Sequence, residues 1–155
     1  MHPLLHKLQY RAQSPVCVLQ TPDTVRGLLA AFPPEAALST SPDAIPVCAF
    51  MLAFVRQQSE IDTLAPRMAA QLDGDGMLWL AYPKGSSKRY ACGFNRDTGW
   101  ETLGRLGFEP VRQVAIDEDW SALRFRRVEF IKTLTRSTSM ALSETGKART
   151  RKAGD

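Results

Sequence analysis

The sequence predicts an α/β protein built on a doubly wound, mostly parallel sheet that ends in an antiparallel hairpin. Three observations carry this reading. Three short apolar runs, residues 15–20 (PVCVLQ), 46–55 (PVCAFMLAFV) and 77–82 (MLWLAY), are each followed by a stretch with helical spacing. Two further strand-like runs, 111–116 and 121–127, are joined by only Asp117, Glu118, Asp119 and Trp120, too short a link for a parallel crossover. The length of 155 residues, with 44% apolar and 23% charged side chains, is that of one ordinary globular domain.

After the first strand, Thr21 is placed to cap a helix with Pro22 in its first turn. Val25, Leu28, Leu29 and Phe32 then give it one apolar face, and Pro33 and Pro34 stop it. Residues 37–39 offer a short edge strand. The second strand leads into a helix carrying Ile61, Leu64, Met68 and Leu72 at helical spacing. Pro66 is accommodated if that helix begins near Thr63, where first-turn amides have no intrahelical partner. Residues 73–76 make a turn before the third strand, which ends at Pro83 and releases the polar loop 84–89. Asn95 or Asp97 caps a third helix with Trp100, Leu103 and Leu106 inward, and Gly107 supplies its left-handed terminator. Val128, Phe130, Ile131 and Leu134 start a terminal helix.

The formal net charge of +4 is concentrated at the end of the chain: residues 134–155 carry +3, leaving +1 for the body. That segment has no aromatic residue and few apolar ones, so residues 1–134 read as the domain and 135–155 as a basic, flexible tail. Such a tail can touch nucleic acid, anionic lipid or an acidic protein, but solubility alone accounts for it, and no aromatic stacking platform accompanies it. The cysteines Cys17, Cys48 and Cys92 have no metal-ligand spacing. A reduced, cytoplasmic setting fits them, with Cys17 and Cys48 as small apolar core residues and no metal. The longest apolar run is far shorter than a bilayer span, and residues 1–12 lack a signal-peptide core. No membrane partner is expected.

Adenosine-type coenzymes in such sheets need a glycine turn after the first strand, where the backbone must approach the ligand closely. Here that turn reads Gln20, Thr21, Pro22, Asp23, Thr24, with no glycine, so no cofactor is expected. Gly85, Ser86, Ser87 and Lys88 lack the spacing of a phosphate loop. The only histidines, His2 and His6, precede the first strand, and a nucleophile site would need one of them folded back over the sheet.

Topology supplies the remaining argument. Ligands of open α/β sheets bind beyond the carboxyl ends of the strands. The loop after the third strand and the hairpin turn should meet at that edge. The candidate ligand-binding residues are therefore Lys84, Ser86, Ser87, Arg89, Asp117, Trp120 and Arg124, with Lys88, Ser121, Arg96 and Asp97 nearby. Cations, hydroxyls and an indole suit an anionic or nucleotide-like group. The same residues also have a structural explanation: a Lys84–Asp117 ion pair, Trp120 packed over the sheet end, and Ser86 and Ser87 satisfying turn amides. Counting from the turn sets Arg124 opposite Gln113 and Leu123 opposite Val114.

A strand, a helix and a closing hairpin in this order resemble the carboxyl-terminal half of Rossmann-like methyltransferase domains. That likeness implies that strand 121–127 lies between 77–82 and 111–116, antiparallel to both. With Tyr82, Pro83, Lys84, Ser86, Ser87, then Asn95, Arg96, Asp97, Gly99 and Trp100, and above all PVRQVAIDEDWSALRFR at 110–126, the chain also resembles a bacterial family of small stand-alone domains of unknown function. This resemblance implies a fold and a cytoplasmic home, and carries over no catalytic residue. The reading favoured from sequence is a non-enzymatic interaction or regulatory module. The alternative is an enzyme or ligand sensor for an anionic small molecule at the carboxyl edge, and a third reading is nucleic-acid association through the tail.

Overall fold

The computed structural model describes residues 3–41, 47–93 and 99–131. The tail, the cap at Asn95 or Asp97, and Arg96 and His2 lie outside these residues. The elements in chain order are α1 (Pro3–Lys7), β1 (Val16–Leu19), α2 (Gly27–Ala31), β2 (Leu38–Ser39), β3 (Cys48–Phe54), α3 (Gln58–Gln71), β4 (Leu72–Pro83), α4 (Glu101–Arg105), β5 (Phe108–Ala115) and β6 (Trp120–Arg127). They form one six-stranded sheet in the order β2-β1-β3-β4-β6-β5. The first four strands are parallel, and β6 runs antiparallel to both β4 and β5, between them, as the methyltransferase resemblance implied.

The central strands are apolar on both sides because both sides are covered. Met51, Ala53, Leu78, Leu80, Leu123 and Phe125 face α3 and α4 with Ile61, Leu64, Met68 and Leu103. Phe50, Leu52, Phe54, Met77, Trp79 and Ala81 face α1 and α2 with Leu5, Leu8, Val25 and Leu28. The amino-terminal segment thus folds back onto the sheet, where the Trp79 indole N–H donates to the Leu8 carbonyl at 2.9 Å, and Tyr10 meets Phe32 and Phe50 edge-on. Trp79 is completely buried, and this bond meets the one polar requirement of its ring.

Several local expectations are corrected. The helix α3 begins at Gln58 rather than near Thr63 because a capping box opens it, with Glu60 accepting the Gln57 amide at 2.9 Å. Pro66 therefore lies inside the helix, on its exposed face. Thr21 caps nothing: Pro22 precedes a 3₁₀ turn over Asp23–Val25, and the regular helix starts only at Gly27. Leu72 is the first residue of β4 rather than the last inward residue of α3. The turn expected at 73–76 is a bulged excursion within β4, where pairing with β3 jumps from Cys48–Leu72 to Phe50–Met77. Leu106 is 38% exposed, although Gly107 does terminate the helix with φ +87°. A 3₁₀ turn occupies Val128–Phe130, where Phe130 is exposed, and the rest of the expected terminal helix, Leu134 included, lies outside the described residues.

The hairpin register also differs by one residue. The amides of Ile116 and Asp117 both donate to the Trp120 carbonyl, so two residues oppose one at the turn. Arg124 consequently pairs with Arg112, Leu123 with Gln113, and Ala122 with Val114. Because side chains alternate between faces, this slip takes Arg124 away from Gln113 altogether.

Two outcomes follow from the packing. A Cβ on Gly76 would lie 2.9 Å from Leu72 Cδ1 and 3.0 Å from the Ala49 and Asp73 carbonyl oxygens, so Gly76→Ala is expected to cost about 1–3 kcal/mol in equilibrium unfolding. Burial, followed by the neighbouring Cys48, pushes the Cys17 thiol up to about 12, and burial also raises Cys48. Both therefore remain protonated at mildly alkaline pH. Native-state alkylation followed by mass spectrometry should label partly exposed Cys92 first, with all three reacting alike in denaturant.

Candidate functional site

Beyond the carboxyl end of β4 the chain forms a cleft of about 660 Å³, lined by the segment from Tyr82 to Cys92 and by Gln113 and Ser121. The loop is shaped by its own hydrogen bonds. Ser87 N–H donates to the Lys84 carbonyl at 3.0 Å, and Ser87 Oγ accepts the Arg89 and Tyr90 amides at 3.3 and 3.1 Å. It is tied to the hairpin turn by the Lys84 amide on the Asp119 carbonyl and by Ser87 Oγ on Asp119 Oδ1, each at 2.8 Å. The two loops therefore meet at one sheet edge, although through Asp119 and not Asp117.

Of the sequence-derived candidates, Lys84, Ser86, Ser87 and Arg89 line the cleft together with Lys88. Asp117 instead holds the hairpin turn, its Oδ1 accepting the Asp119 and Trp120 amides at 2.8 Å each. Trp120 is buried, packed edge-on against Phe54 at 5.2 Å and in a tilted contact with Tyr90 at 5.1 Å. Arg124 lies on the opposite face of the sheet, donating to Gln9 Oε1 at 3.2 Å. Gln113 does face the cleft, where its side-chain amide donates to the Tyr82 hydroxyl at 2.8 Å.

Among the described residues, the cleft lining holds three cations, Lys84, Lys88 and Arg89, and no carboxylate. A smaller adjoining hollow of about 380 Å³ shares Ser86, Lys88 and Arg89 and adds Glu118 and Asp119. The Ser86 hydroxyl beside three cations favours an anion in the cleft, through charge-assisted hydrogen bonds, with Glu118 and Asp119 lining the adjoining hollow.

Sequence reasoning missed the far end of the loop. Tyr90 crosses the carboxyl end of β3, its hydroxyl 3.2 Å from Thr24 Oγ1 and the Arg56 guanidinium 5.4 Å from its ring centre. Gly93 N–H donates to the Arg56 carbonyl at 3.0 Å. A lone aromatic residue in an otherwise polar loop was the available signal. Gln20, directly after β1, was also overlooked as a participant. It holds the left-handed conformation with φ +57°, and its side-chain amide donates to the Phe54 carbonyl at 2.9 Å and to Glu60 Oε2 at 3.1 Å. It thereby spans the point where strand order reverses, between the carboxyl ends of β1 and β3.

No family model and no curated protein matches this chain. Solved structures do. The N-methyltransferase NodS from Bradyrhizobium japonicum WM9, in complex with S-adenosyl-L-homocysteine, matches with TM-score 0.53 and 16% identity over 81% of this chain and 83% of that one. Magnesium protoporphyrin IX methyltransferase from Synechocystis PCC 6803 matches with TM-score 0.53 and 13% identity, covering 80% and 76%. Phosphoethanolamine N-methyltransferase 2 of Haemonchus contortus gives 0.51 and 13%, with 80% of this chain against 35% of that one. The expectation of a non-enzymatic module is corrected by these matches, since the structures that share this architecture are those of enzymes.

The coenzyme of those enzymes can be tested against the residues at the strand-order reversal. An adenosyl group there needs close backbone approach after β1, but Gln20 takes the left-handed turn without being glycine and lays its side chain across the crevice. Tyr90 and Arg56 cover the neighbouring end of β3. In this arrangement the residues do not fit the group. What the chain shares with these proteins is their architecture: it has a methyltransferase-like Rossmann fold.

Proposed function

We propose that the chain is an enzyme on the methyltransferase-like fold that receives an anionic, phosphate-bearing substrate in the cleft beyond β4. The observation that carries this reading is the convergence of Lys84, Lys88 and Arg89 with the Ser86 hydroxyl, with no carboxylate among the described lining residues. The cleft also lies where ligands of open α/β sheets bind. Its floor is built: Tyr82 and Ser121 are buried strand residues, and Ser87 is held by Asp119. Cations on such a frame orient a bound oxyanion without the frame having to reorganise. Methyl transfer is the second reading, favoured by the fold shared with NodS and the magnesium protoporphyrin enzyme. It requires the Gln20 side chain to leave the crevice.

The test is turnover by the intact protein of a mixture of phosphorylated metabolites, with and without S-adenosylmethionine, followed by mass spectrometry. The wild type is expected to convert one phosphorylated component. The Lys84→Ala/Arg89→Ala protein should do so at least about tenfold more slowly, because each charge-assisted hydrogen bond is worth about 1.5–3 kcal/mol. Conversion that depends on S-adenosylmethionine and is unaffected by the double substitution would transfer the assignment to methyl transfer at β1. Absence of any conversion would refute both readings.

A further inference from the structure

The one-residue hairpin slip assembles a group of guanidiniums on the face of β5–β6 turned away from the cleft. Arg112 stands directly opposite Arg124, and Arg126 lies two residues along on the same face. Like charges directly opposed across two strands destabilise a sheet, so this pairing needs compensation. Among the described residues, the hydrogen-bonded carboxylate nearest this group is Asp75, at the Arg126 end. Asp75 is gripped by Arg126 through two bonds of 2.8 and 2.7 Å, and Glu109 stands opposite Arg126 in the strand register. Arg124 finds only the neutral Gln9 amide oxygen for Nη1, and its Nε is buried with no hydrogen-bond partner. Arg112 is exposed. On the rim, the Lys7 ammonium donates to the Ala115 carbonyl at 3.1 Å.

We propose that Arg112 and Arg124, flanked by Arg126, form a receptor for a phosphate-type oxyanion, separate from the cleft. A guanidinium presents parallel N–H donors matched to two oxygens of one phosphoryl group, and two facing guanidiniums can share such a group. The anion would supply the acceptor that Arg124 Nε lacks and remove the repulsion between the strands. Separation from the cleft follows from the alternation of side chains: Gln113 and Ser121 face the cleft, whereas Arg112 and Arg124 face the amino-terminal segment.

The probe is inorganic pyrophosphate, added at constant ionic strength to the full chain, with melting temperature as the readout. Arg112→Ala relieves the repulsion and should therefore melt up to about 4 °C above the wild type without the anion. It should also lose more than half of the rise that pyrophosphate gives the wild type. In the Lys84→Ala/Arg89→Ala protein the part of the rise due to the arginines should persist, and the Arg124 Nε–H resonance should still move on titration. A rise that survives Arg112→Ala intact and disappears in the Lys84→Ala/Arg89→Ala protein would assign pyrophosphate to the cleft and overturn the arginine receptor, leaving the proposed function standing. Loss of the response in Arg112→Ala alone would support the receptor whatever the turnover experiment returns.

Discussion

The pairing of β4 on both of its edges is the constraint on which the remaining structure depends. On one side it continues the parallel ladder through β3, and on the other it begins the antiparallel ladder through β6. A strand with that role can show solvent neither face, and from Met77 to Pro83 it shows none: Leu78, Trp79, Leu80 and Ala81 are fully buried. Burying a large apolar side chain contributes about 1.5–3 kcal/mol, so this strand anchors both halves of the sheet. Its carboxyl end then fixes where the loop from Lys84 starts. The cleft is a product of strand pairing before it is a product of its own residues.

The same physics explains what could be read from sequence. Buried strands announce themselves as unbroken apolar runs, and β1, β3 and β4 were legible for that reason. A four-residue link forced the hairpin to be antiparallel, whereas the insertion of β6 between β4 and β5 was expected only from the resemblance to methyltransferase domains. Register was less legible, because it depends on how the turn shares its carbonyl groups, and a single shared acceptor at Trp120 set Arg124 opposite Arg112 in place of Gln113. Pro66 was misread because a capping box upstream outweighed one lost amide. The meeting of the two edge loops was legible from topology. The fastening at Asp119 and the reach of Tyr90 were not, since nothing local in sequence specifies which side chain crosses a sheet end.

A shared architecture and an altered crevice are compatible. A fold supplies a frame, and activity depends on the side chains mounted at its edges. Here the frame is that of methyltransferases, the strand-order reversal is bridged by Gln20, and the cations gather one strand further along. One sheet can carry different polar groups on its loops, where substitutions disturb packing least.

Tyr90 gives this arrangement a consequence of its own. One phenol ring is wedged between Arg56, Thr24 and Trp120, while its backbone amide is held by Ser87 at the wall of the cleft. A single residue thus joins the wall of the cleft to the carboxyl end of β3. A shift of the ring away from Arg56 and Thr24 therefore also pulls on the Ser87 hydrogen bond that shapes the loop from Lys84.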